Sequence, residues 1–451
     1  MGLSGVIFMM AFATGCILAL ARHPIFGLMT YVGVFYVHPP SRWWGVGVPQ
    51  LRWSLIASGV TLLAIMLSKE NKPKLKASLN NKVIIGIGLF LAWMLIQAMW
   101  ALNPDQHWEL IGLVAKYGLL VVLIYVCVDT EENMRLFLWS HVVGCFYLGW
   151  IVFTEYDGGR FEGFGGPNIN EANAGALQIV TSVFVAAALF LWGRWREKIA
   201  LLGLLPFMVN ALIATVSRSG FLAAALGGII FNLFTPKRFR TRTRVLTILA
   251  GLLFVMLTNP MYWMRISSIK YTGEDVQGVD TGAGRLVLLQ AQWKMFLEYP
   301  LGCGHRCTAT LSRNYLPDSD LTGEEGNRAR SSHSTVMTMV TEHGIPGAFF
   351  YFLQIVWVYT AVRKLAKNPA ITEHPFYSCL LPAAAAAMGA IFLQDEFVDD
   401  LRLEVRFWFM AILLVLLNKA AQWVPQTVPK GTLKRGARKA PGARETALGS
   451  Q

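Results

Sequence analysis

About twelve apolar runs, most of them near the roughly 17 to 25 residues a helix needs to cross a bilayer core of about 30 Å, set the pattern of this chain. They fall at 3–21, 51–67, 83–101, 110–128, 135–153, 172–192, 199–215, 220–234, 246–259, 346–363, 377–393 and 404–421. The pattern predicts an all-α polytopic membrane protein. A further apolar stretch, Ile25 to His38, is only about 14 residues long, the class of re-entrant or interfacial segments, or else a thirteenth span that would place the N-terminus outside. No fixed-period repeat is visible and the halves do not mirror each other, which disfavours a transporter built on inverted repeats. The chain divides into N-terminal membrane helices (1–258), a long outward segment (259–345), C-terminal membrane helices (346–421) and a basic tail (422–451).

The outward segment far exceeds an ordinary helix connection, and loops of that length are usually functional. Within it, "GRLVLLQAQWKMFLEYP" (284–300) is moderately amphipathic and reads as a short helix at the membrane surface, stopped by Pro300. "LGCGHRCTATL" and "PDSDLTGEEGNRARSS" read as loop. Then "RARSSHSTVMTMVTEHGIPGAFFYF", from Arg328 to Phe352, runs through His333 into apolar residues, placing His333 at the mouth of an expected membrane helix.

Composition agrees: 54% of the 451 residues are hydrophobic and 15% charged, which excludes an ordinary soluble domain. Lys and Arg cluster at 68–82, 193–198, 235–244, 363–369 and 430–444, all on one side when helices are counted alternately. That side is therefore expected to be cytoplasmic, the tail included. The net charge of +13 is then largely a topological signal, and a nucleic-acid partner is not expected. The first run lacks a basic n-region and reads as a membrane helix instead of a cleaved signal peptide. Six cysteines are too scattered for a disulfide scaffold, and only Cys303 and Cys307 share an outward segment.

Four outward features could carry chemistry. In "ATVSRSGFLAAALGG", Arg218 interrupts two apolar runs, and its guanidinium suits bidentate recognition of phosphate; a turn whose Arg reaches the lipid headgroups is the plainer alternative. Arg285, in "GAGR" at a helix start, suits an anion or simply a turn, and Arg265 follows a span, where headgroups alone would account for it. Arg160 lies in the Gly-rich "GGRFEGFGGPNINEANAGA", a ligand loop or a connector. His333 could take a proton from a hydroxyl, or be a capping or solvated residue. Glu342, nine residues on, would face the other way on a continuous helix, so the two are no simple dyad. His305 and His343 are further candidates for proton transfer, His305 favoured by its place in the outward segment. Cys303, His305 and Cys307 are too few for a zinc site, and Asp395, Glu396, Asp399 and Asp400 read as an acidic loop more readily than as a cation site.

The Arg218 junction, "GAGR" ahead of a helix, "EYPLGCG", and "HS" nine residues before "EHGIPG" resemble the O-antigen ligase and polymerase superfamily of bacterial inner-membrane glycan-transfer proteins. "RHPIFGLMTYVGVFYVHPPSRWWGV" and the Arg160 loop are similar, more narrowly, to exosortase-associated O-glycosylation ligases. The resemblance covers nearly the whole chain up to the basic tail. It implies a fold related to the GT-C class and a periplasmic active site. It further implies an undecaprenyl-diphosphate-linked glycan donor, and an acceptor hydroxyl on lipid A-core, glycan or protein. Transfer would need no metal, cofactor or nucleotide sugar. Carried across residue by residue, Arg218 and Arg285 bind the diphosphate, with Arg160 and Arg265 as weaker candidates, and His333 deprotonates the acceptor. Ligation, polymerisation of lipid-linked repeats and protein glycosylation share this chemistry; a transporter of lipid-linked glycan is the competing class. Sugar, acceptor and oligomeric state are not legible.

Overall fold

A computed structural model describes residues 2–258, 263, 267, 283–316 and 332–422, without the side chains of 283–285. The regular elements among them are all helical. In chain order the α-helices are α1 (Leu3–Ala21), α2 (Ile25–Val37), α3 (Trp53–Leu67), α4 (Lys72–Leu79), α5 (Lys82–Gln97), α6 (Pro104–Cys127), α7 (Glu131–Glu155), α8 (Ala172–Trp192) and α9 (Trp195–Ala214). They continue as α10 (Arg218–Phe234), α11 (Arg240–Leu257), α12 (Ala283–Glu298), α13 (Cys307–Tyr315), α14 (Thr335–Glu342), α15 (Gly344–Leu365), α16 (Pro369–Thr372), α17 (Tyr377–Gln394) and α18 (Val405–Gln422).

Each apolar run coincides with a helix, but fewer than twelve qualify as spans. Among the described residues 8 helices are long and apolar enough to cross a membrane, or up to 10 if each of two bent pairs is one span. The pairs are Trp53–Leu67 with Lys72–Leu79, bent by 111°, and Arg218–Phe234 with Lys237–Leu257, bent by 118°. The run at 83–101 yields only the 16 residues of α5. The stretch at 25–38 forms α2, whose 13 residues are too few for a span and which packs against α1, α3 and α7.

Two kinds of apolar surface result. Helices α1, α9 and α15 leave large side chains such as Ile17, Leu202 and Phe349 exposed, as lipid-facing helices do. Helices α8, α17 and α18 are mostly buried. Lipid tails are as apolar as leucine, so helices associate through small residues that allow close approach. The run Ala383–Ala387 on α17 and Gly227 on α10 meet this need: a Cβ at Gly227 would lie 2.4 Å from the Phe184 ring and 3.2 Å from the Ala386 carbonyl oxygen.

The segment expected to face outward differs from expectation in two places. Cys307–Tyr315, with its first five residues expected as loop, is the helix α13. The polar-to-apolar stretch around His333 does not run directly into a span: α14 intervenes, and the chain breaks at His343 and Gly344 before α15 begins. The break requires glycine. Gly344 sits at φ +67, and a Cβ there would come 2.3 Å from the Leu301 carbonyl carbon. Gly302, at φ +78, faces it, its own Cβ position 2.5 Å from the Gly344 nitrogen. Gly304 N–H donates to the Glu342 carbonyl at 2.9 Å, and Ile345 N–H to the Pro300 carbonyl at 2.9 Å. "YPLGCG" and "EHGIPG" thus pack backbone to backbone.

Candidate active site

The turn between α9 and α10 brings together the first candidates. Ser217 caps α10, its Oγ accepting from Gly220 N–H at 3.0 Å, and Arg218 is the first helical residue. The partial positive charge of a helix N-terminus disfavours a cation there and favours an anion. Arg160 is brought alongside because Phe161 N–H donates to the Ala214 carbonyl at 2.8 Å. The Gly-rich loop is pinned from behind by Arg42, which donates to the carbonyls of Phe164 at 2.8 Å, Tyr36 at 3.1 Å and Val37 at 2.8 Å.

Asn173, in the first turn of α8, joins these parts. Its Oδ1 accepts from Arg160 Nη2 at 3.2 Å, Ser217 Oγ at 2.7 Å and Ser219 Oγ at 3.4 Å. The N-termini of α8 and α10 therefore meet at one place. From the Asn173 carbonyl a hydrogen bond of 3.0 Å leads to Gln394 Nε2, which also donates to Asp400 Oδ2 at 2.9 Å. Asp400 N–H donates to Thr335 Oγ1 at 2.7 Å, and Thr335 N–H donates to the Asp395 carbonyl at 2.8 Å. Burial, reinforced by Asp395, pushes the Asp400 carboxyl up to about 8.

His333 lies two residues before Thr335. It is exposed, but its neighbours Ser332 and Ser334 are buried, and Ser332 Oγ donates to the Ser334 carbonyl at 2.9 Å. Ser334 caps α14. The imidazole therefore projects outward from a turn fixed on both sides.

At the other end of α14, about 12 Å away for eight helical residues, lies a buried polar cluster. Glu342 Oε2 accepts from His305 Nδ1 at 2.9 Å and from Arg306 N–H at 2.7 Å. Burial opposes the charge of Glu342, but these donors outweigh it and hold the carboxyl below the usual range. Arg402 approaches His305 Nε2 at 3.2 Å and also bonds Gln106 and Glu109. His343 donates from Nδ1 to Gln97 Oε1 at 2.9 Å, and its buried Nε2 has no hydrogen-bond partner among the described residues. Burial, then His305, lowers the His343 imidazole to about 3, so it is neutral. His305, Glu342 and His343 offer ligand atoms within 4.8 Å of one another. The Arg402 guanidinium beside His305 opposes a dication there, and His305 and Glu342 already satisfy each other.

The other metal candidates are dispersed. Cys303 and Cys307 form a disulfide flanking His305. Asp395 is bound by Arg406 and by Tyr351 Oη, Asp400 by Gln394, and Asp399 by Leu401 N–H.

The fold brings Arg160 and the Arg218 turn together and links them to the segment carrying His333; it pairs His305 with Glu342. Arg285 lies in the first turn of α12 with its side chain outside the described residues, as Arg265 is altogether. Sequence reasoning missed Asn173, Gln394, Arg402 and Arg42. For Asn173 the signal was present as the helix-start asparagine of "NEANAGA", but its partners lie far along the chain.

No curated protein matches the chain. Residues 203–352, from α9 through the first turns of α15 and including Arg218, His305, His333 and Glu342, match the family model described as O-antigen ligase.

Proposed function

We propose that the protein transfers a glycan from an undecaprenyl-diphosphate carrier to an acceptor hydroxyl at the periplasmic face of the bacterial inner membrane. The observation that carries this reading is the hub at Asn173. It joins Arg160 to the Arg218-bearing N-terminus of α10 and leads through Gln394 and Asp400 to the His333 turn. Two helix N-termini and adjacent guanidinium groups favour an anion, and a diphosphate meets that chemistry.

In the proposed reaction His333 accepts the acceptor's hydroxyl proton as its oxygen attacks the anomeric carbon. The bond from that carbon to the diphosphate breaks, and its electron pair leaves on undecaprenyl diphosphate. Arg218 and Arg285, aided by Arg160 and Arg265, stabilise the leaving charge. A single displacement inverts the anomeric configuration. The chemistry asks for no metal or cofactor. The Cys303–Cys307 disulfide supports an oxidising, periplasmic setting for this face.

The test is transfer from a purified lipid-linked donor in excess chelator. Wild type is expected to transfer and His333→Ala to lose at least about a hundredfold. Equal rates would remove His333 as the base. Ladders of repeat units on the carrier would favour polymerisation, and a glycosylated peptide would favour protein ligation. Substrate movement without transfer, retained in His333→Ala, would favour a transporter.

A further inference from the structure

The hydrogen bonds around Asn173 fix more than position. Its Oδ1 faces the Arg160 guanidinium, which can only donate, and the Ser217 and Ser219 hydroxyls. Turning the amide over would set its NH2 group against that guanidinium, so its orientation is determined. The Asn173 backbone is held independently by Gln394. The Nδ2 group, with two N–H donors, makes no hydrogen bond among the described residues. It is also not one of the polar atoms shut away from solvent. Asn173 is half-buried, in the first turn of α8 and beside the first turn of α10. A polar group locked on one side and open on the other, between two helix N-termini and next to two arginine positions, is arranged to donate to an anion.

We infer that Asn173 binds the prenyl diphosphate directly, donating from Nδ2 to a phosphoryl oxygen while its Oδ1 holds Arg160 and Ser217 in place. This rests on the reading of the site as a lipid-diphosphate transferase and adds a residue lying outside the segment 203–352. Its Nδ2 supplies a neutral donor where further positive charge would crowd the arginines, and donors aimed at a leaving diphosphate favour the transition state more than the ground state.

Two substitutions separate binding from architecture. Asn173→Asp keeps the acceptor oxygen and would strengthen its pairing with Arg160. A residue serving only the architecture therefore tolerates it, whereas a ligand-binding residue does not. Asn173→Thr keeps a hydroxyl acceptor and removes the amide donor without adding charge. The full chain in detergent is titrated with undecaprenyl diphosphate, and glycan transfer is measured in parallel. The expected result is binding weakened at least about tenfold in Asn173→Asp and about threefold to tenfold in Asn173→Thr, with melting temperatures of the ligand-free proteins near wild type. Wild-type affinity in either folded variant overturns the direct contact. Failure of wild type to bind undecaprenyl diphosphate overturns the proposed function together with this inference, whereas wild-type binding unchanged by both substitutions overturns this inference alone.

Discussion

At the scale of single residues, the site is a set of groups whose neighbours decide their chemistry. Arg218 begins a helix, whose N-terminus together with the guanidinium favours an anion. Arg218→Ala should therefore raise the donor KM at least about tenfold with the melting temperature little changed. Arg218→Lys should recover only part of this, since ammonium lacks the planar fork. Unaltered donor kinetics in Arg218→Ala would remove the diphosphate assignment. His343 carries a pH dependence. Unfolded, it takes up a proton near the ordinary value of 6.5, whereas folded it stays neutral to about 3. Between those values the unfolded chain binds more protons, so stability falls as pH falls, by about 2 kcal/mol at pH 5 for this group alone. Glu342 acts at lower pH: its carboxyl lies below 4.5 in the fold, and the stability it contributes is lost as pH drops through that folded value. The melting temperature of His343→Gln should fall less between pH 7 and pH 5 than that of wild type; equal slopes would show that His343 is not the group responsible.

At the scale of elements, the short helix α14 carries the His333 turn at one end and Glu342 at the other. Both ends are anchored to other elements, through Thr335 to the loop 395–400 and through Glu342 to His305. The break at Gly344 lets α14 leave the axis of α15. Had the two been one helix, as the apolar pattern of the sequence suggests, His333 would stand at the mouth of a span with no such clamp. Gly344→Ala should destabilise by at least about 2 kcal/mol, since it adds a strained φ to a clash with the Leu301 backbone. It should also lower transfer rate more than donor affinity, because it disturbs α14 and leaves the Asn173 hub intact. A variant with wild-type melting temperature and rate would refute this account of the break. The helices themselves were legible because an apolar run in hydrocarbon must bond its own backbone. The helix α13 was not, because "CTATLSRNY" is short and polar and owes its shape to what surrounds it.

At the scale of the whole molecule, the proposed orientation places the basic loops inside and the His333 segment outside. Single cysteines introduced at 367 and at 397 in a cysteine-free background should label from opposite sides of the inner membrane, with 397 reached by an impermeant reagent. Labelling of 367 but not 397 by that reagent would reverse the topology, and labelling of both from one side would remove the span between them. The sequence by itself determined the membrane class and the positions of the apolar helices, and it supplied the expected sidedness of the loops on which the proposed outward placement of Arg160, Arg218 and His333 rests. Each of these follows from local composition: a bilayer reads the length of an apolar run and the charge beside it. Only the tertiary structure decided that His305 pairs with Glu342, 37 residues away. The same holds for Asn173, set between Arg160 and Ser217, and for Gln394, which reaches across 221 residues to bind it. Such pairings depend on which helix faces meet, and in lipid that choice rests on the fit of small residues and on buried hydrogen bonds, which apolar periodicity does not encode.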